Sequence, residues 1–104
     1  MLNKIIKVNI RDRNWSIRIV PRHLMPVEGA DGFCHEHRCA IDTVDDLEPQ
    51  AMKIVLTHEL THAFLTMAGC FEENAFKQEY VCDFVAWNID ELIKTRDEVL
   101  EGLE

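Results

Sequence analysis

With 104 residues, 47% hydrophobic and 29% charged, the chain is expected to fold as one ordinary globular domain over 1–104 with a modest core. That composition excludes a disordered tail, a collagen-like rod and a disulfide-packed toxin. The balance of 11 Lys+Arg against 19 Asp+Glu gives a net charge of −8, which repels phosphate backbones and argues against a nucleic-acid partner.

Met1–Lys7 interrupts its apolar residues with charge, so it reads as a strand and not as a signal peptide. No apolar run approaches the roughly 18 residues of a membrane span. Cytoplasmic residence with reduced thiols is the expectation, and no membrane partner is expected. Ile6, Val8 and Ile10 recur at period two, as do Trp15, Ile17 and Ile19. With Arg11–Asn14 between them they predict a β-hairpin. Pro21–Gly32, with two prolines and two glycines, predicts a loop. Phe33–Val44 predicts one or two short strands. If the segment is extended throughout, Phe33, His35, His37, Cys39, Ile41 and Thr43 share one face.

The second half predicts helices. Asp45 or Asp46 is placed to cap the first, Pro49 is tolerated in its first turn, and Glu48 suits the positive end of its dipole. This helix should run to about Ala68 and stop at Gly69. A second should begin near Glu72–Asn74 and continue to about Arg96 or beyond. The layout is α+β: a small N-terminal antiparallel or mixed sheet followed by two packed helices.

Within the first helix stands His58-Glu59-Leu60-Thr61-His62, an H-E-x-x-H sequence. At about 100° per residue, the histidines lie about 40° apart, one turn up the same face, where both imidazoles can reach one ion. Glu59 falls about 100° to the side of His58, placed to reach a water on the ion instead of the ion itself. Ala51, Ile54, Val55 and Leu65 share the histidine face, and histidines buried on an apolar stripe must find partners. A pair of hydrogen-bonded core histidines is the rival account.

A catalytic zinc usually takes three protein ligands. On the second helix Glu79 and Asp83 stand at i and i+4, with Phe76, Tyr80 and Trp87 on the same face. Carboxylates beside aromatic rings are costly unless something positive neutralises them. Glu79 can ligate the ion while Asp83 accepts the free N–H of His58 or His62, or the two can exchange roles. An ion pair with Arg38 or Lys77 is the alternative.

His58-Glu59-Leu60-Thr61-His62-Ala63, followed by Glu79-Tyr80-Val81-Cys82-Asp83-Phe84-Val85-Ala86, resembles the gluzincin metallopeptidases. More closely it resembles the ImmA/IrrE group of small bacterial and phage-associated H-E-x-x-H proteins, over most of residues 30–95. The resemblance implies a minimal zincin-like core with Zn²⁺ held by His58, His62 and Glu79, and Glu59 as general base. It also implies regulatory cleavage of a protein or peptide substrate. Cys82 stands where a small residue such as Ala is common, and the chain has no room for the sensor or DNA-contacting domain of some relatives.

Glu59 is expected to take the proton of the attacking water and return it to the leaving amine. Tyr80 and His37 are the candidates for stabilising the oxyanion, with His35 a further rival on the strand before the active helix. That strand could also hold an extended substrate by strand addition.

Cys34-His35-Glu36-His37-Arg38-Cys39 admits a second, structural zinc site or a cysteine latch that blocks the catalytic ion. Alternation opposes convergence, since it puts Cys34 on one face and His35, His37 and Cys39 on the other. Cys70 and Cys82 read as small buried hydrophobes, and Arg96–Glu104 as an acidic helix end. A non-enzymatic zinc-stabilised interaction module is the alternative function, and hydrolysis of a non-peptide amide a third.

Overall fold

The computed structural model describes residues 4–69 and 78–104, excepting the side chains of 78–83 and 86. Four strands, β1 (Lys4–Ile10), β2 (Arg13–Val20), β3 (Gly32–His35) and β4 (Ala40–Val44), are followed by helices α1 (Pro49–Met67) and α2 (Gln78–Gly102). The sheet order is β1-β2-β4-β3, with β1/β2 and β3/β4 antiparallel and β2/β4 parallel. The chain is α+β, a mixed sheet followed by two helices.

The hairpin forms as the alternation predicts, but its turn is tighter. Ile10 pairs with Arg13, leaving Arg11 and Asp12 as a two-residue loop, both at positive φ. Such a turn matches the right-handed twist of the strands it joins. The Asn9 side-chain oxygen accepts the Asp12 N–H at 3.1 Å.

Between β2 and β3 the predicted loop is tied down by Arg22, which donates to Asp31 at 3.1 Å and to Asp46 at 2.8 and 2.9 Å. That engagement takes Asp46 away from helix capping. The N-cap of α1 is instead Glu48 in extended backbone, with Pro49 opening the helix. At the other end Ala68 is the C-cap and Gly69, at φ +86°, ends the helix as expected. The predicted start of the second helix, Glu72–Asn74, lies outside the described residues.

Residues 33–44 do not share the single face that continuous extension would give them. A 3₁₀ turn at Glu36–Arg38 and the left-handed backbone of Cys39 (φ +52°) fold the segment into an antiparallel pair. The register puts Cys34 opposite Ile41 and Phe33 opposite Asp42. Gly32, Cys34, Ile41 and Thr43 therefore face the helices, while Phe33, His35 and Asp42 lie on the outer face.

One face of the sheet supplies Val8, Ile10, Trp15, Ile17 and Ile41 to a core completed by Leu56, Leu60 and Phe64 of α1 and Leu92 and Val99 of α2. The buried positions of α2, Phe84, Asn88, Leu92, Thr95 and Val99, recur every three or four residues as one stripe. Helix α1 packs on α2, β3 and β4, and α2 packs on α1 and β1. No described helix is long and apolar enough to cross a membrane.

Candidate metal centre

The motif occupies the middle of α1, where the i, i+4 spacing stacks His58 and His62 on one face. Their rings lie edge to face with centroids 5.0 Å apart. The His58 side chain is 67% exposed and that of Glu59 only 10%. Glu59 turns inward beside the core, and its Oε2 lies 3.9 Å from His58 Nε2. It accepts no hydrogen bond among the described residues. Burial pushes the Glu59 carboxyl above its ordinary range, and the charges of His58 and His62 pull it part of the way back.

Strand β3 closes over this carboxylate. A Cβ added at Gly32 would stand 2.8 Å from Val55 Cγ1, 2.9 Å from Glu59 Cγ and 3.1 Å from Glu59 Oε2. The backbone approaches α1 there because nothing but hydrogen occupies the inward side of residue 32. The resulting cleft, about 360 Å³, is lined by Gly32, Phe33, Cys34, Glu36, His58, Glu59 and His62. A larger hollow of about 820 Å³ lies away from the motif, between Leu47, Met52, Leu100 and Leu103.

The chemistry of this donor set fits a zinc ion. Two imidazoles one turn apart border a cleft beside a largely buried carboxylate that accepts no hydrogen bond among the described residues and has His58 Nε2 at 3.9 Å. Among the described residues no third ligand completes the pair. Glu79, Tyr80 and Asp83 fall in the first two turns of α2, and their side chains lie outside the described residues.

The rival for the oxyanion role, His35, faces away from the cleft: its Nε2 donates to Asp42 Oδ2 at 2.8 Å. His37 is exposed on the 3₁₀ turn after β3. Cys34 and Cys39 are free thiols. Burial, and then the negative charges of Glu59 and Glu36, push the Cys34 thiol up to about 12, so it stays protonated at neutral pH. Among the described residues the Cys34–Cys39 segment gathers no second metal cluster, because His35 points to the opposite face of the sheet.

Two residues of this region were not singled out by their sequence pattern. Gly32 looks like the end of a Gly-containing loop, and only the approach of β3 to α1 reveals its role. Asp42 interrupts an apolar strand, which is a visible signal. Its partner Arg18 is identified by the parallel β2/β4 register, which pairs the two directly. Comparison with known proteins finds no matching family model, no matching curated protein and no matching solved structure.

Proposed function

We propose that the chain is a zinc-dependent peptide hydrolase of the gluzincin, ImmA/IrrE-like kind, with His58, His62 and Glu79 as metal ligands and Glu59 as general base. The observation that carries this reading is the environment of Glu59. It is a buried carboxylate without a hydrogen bond, one position from an exposed histidine and enclosed by an edge strand. A zinc ion held by these ligands supplies Lewis acidity and an acidified water.

Glu59 takes a proton from the attacking water and hands it to the departing amine nitrogen. Burial raises its proton affinity, which suits a group that must both accept and return a proton. Asp83 orients a ligating imidazole, and Tyr80 or His37 donates to the oxyanion. Among the described residues β3 pairs with β4 alone, and its other edge suits an extended peptide added as a further strand. The net charge of −8 disfavours nucleic acid, and the resemblance points to a protein or peptide as substrate. Free Cys34 and Cys39 suit a reducing cytoplasm, and regulatory cleavage in a bacterial or phage setting is the role proposed.

The test joins metal analysis of protein purified without added metal to peptide-cleavage assays of the wild type and Glu59→Gln. Zinc near one equivalent is expected in both proteins, with cleavage about 10²–10⁴-fold lower in the variant. Protein that binds no metal at His58 and His62 overturns the proposal. Zinc at one equivalent without cleavage of any peptide favours a zinc-stabilised interaction module instead.

A further inference from the structure

Strand β3 walls the candidate site, yet it is only four residues long and pairs, among the described residues, with β4 alone. Residue 32 lies so close to α1 that a Cβ there would stand within 3 Å of Val55 and Glu59, and displacement of β3 would open the space around Glu59. A ladder this short is weak restraint on an edge strand. A second restraint lies on the outer face of the sheet. Asp42 of β4 is 3% exposed, although neither α1 nor α2 lies on that face. Its Oδ1 accepts Arg18 Nε at 2.5 Å and its Oδ2 accepts Arg18 Nη2 at 2.8 Å. Oδ2 also accepts His35 Nε2 at 2.8 Å.

An ionised carboxylate can only accept, so His35 carries a proton on Nε2. Phe33 of the same strand packs edge-on against the His35 ring, with centroids 4.8 Å apart. Arg18 from β2, Asp42 from β4 and His35 from β3 thus form a charge-assisted strap across three strands, on the side opposite the cleft.

We propose that Asp42 and His35 are positioning residues: through this strap they hold β3 against α1 and fix the enclosure of Glu59 from behind the sheet. The catalytic consequence rests on the peptidase reading above, whereas the placement of β3 does not. This assigns His35 a purpose on the outer face, where it cannot meet a reacting group. It also accounts for a buried carboxylate on the sheet face opposite α1 and α2. Arg18 alone reaches both oxygens, and His35 adds a further contact at Oδ2. Removing His35 therefore leaves Asp42 held by Arg18 but releases β3 from the strap, whereas removing Arg18 leaves Oδ1 buried without that donor.

The test compares full-length wild type, His35→Leu and His35→Gln, the last retaining an N–H donor that can reach Asp42. Amide hydrogen exchange by NMR reads the β3 amides that bond to β4, with the β1–β2 hairpin as internal reference; kcat/KM on a cleaved peptide is the second readout. In His35→Leu the β3 amides are expected to exchange at least about 10-fold faster, with hairpin amides within about 2-fold of wild type. Cleavage is expected to fall about 10–100-fold, as for a catalytic group whose surroundings shift by part of an ångström. His35→Gln should recover most of both. Unchanged β3 exchange in His35→Leu overturns the proposal. So does acceleration spread evenly over the sheet, or failure of the glutamine to rescue. If the wild type cleaves no peptide, local acceleration with rescue still upholds the strap, and only the peptidase reading falls.

Discussion

Gly32 is where a single atom has the largest expected effect. Gly32→Ala sets a methyl within 3 Å of Val55 and Glu59, and overpacking of this kind costs about 1–3 kcal/mol. The expected outcome is a lower denaturation midpoint together with loss of cleavage, because β3 or Glu59 must move to make room. Val55→Ala in the same chain removes the nearer clash and should recover part of the stability, read from urea unfolding of the single and double variants. The stacking was legible at this scale, since the 3.6-residue period dictates that His58 and His62 stack while Glu59 turns aside. The apolar stripe expected to bury the histidines does not do so: His58 is 67% exposed and Ile54 61%. The burial of Glu59 was not legible, because it depends on a strand that the chain brings back from 27 residues earlier in sequence.

At the scale of elements, the hairpin and α1 followed from local signals: alternation, a proline at the first helical position and a glycine at the stop. Strands β3 and β4 were less legible. Continuous alternation from Phe33 to Thr43 suggested one face, and a 3₁₀ turn that no glycine or proline announces reversed the chain. The β2/β4 pairing is parallel and non-local, and local residue patterns do not encode a partner 24 residues away. Within β4, Thr43 is fully buried and its Oγ1 has no hydrogen-bond partner among the described residues. Thr43→Val keeps the shape and removes an unsatisfied hydroxyl. We expect it to raise stability by about 1 kcal/mol, seen as a higher thermal midpoint.

Across the whole molecule, the acidic balance carries a pH signature. Burial first of all raises the folded-state carboxyl of Glu59 above its ordinary range. The folded chain therefore holds this proton more tightly than the unfolded chain. The associated stability is fully present below the unfolded value and is lost as pH rises through the folded one. In metal-free protein, the thermal midpoint of the wild type should fall relative to Glu59→Gln as pH rises from about 4 to about 8. Groups common to both proteins cancel in that difference. A constant gap across the range would show that Glu59 does not sense its burial. Added zinc should raise the midpoint of the wild type in proportion to the logarithm of its free concentration above Kd, and a chelator should reverse the gain.

The brevity of β3 also bears on self-association. A sheet edge offers unpaired N–H and C=O groups to any extended chain, including another copy of the same protein. Here that edge is four residues long, ends at a 3₁₀ turn, and is followed by the charged pair Glu36 and Arg38. At the other margin of the sheet, β1 carries Lys4 and Lys7. A neighbouring copy can form only a short ladder on β3 before the turn interrupts it, whereas a flexible peptide needs no more than that length. This truncation thus keeps the edge from seeding fibres, and the protein should stay dispersed at concentrations where a longer exposed strand would aggregate.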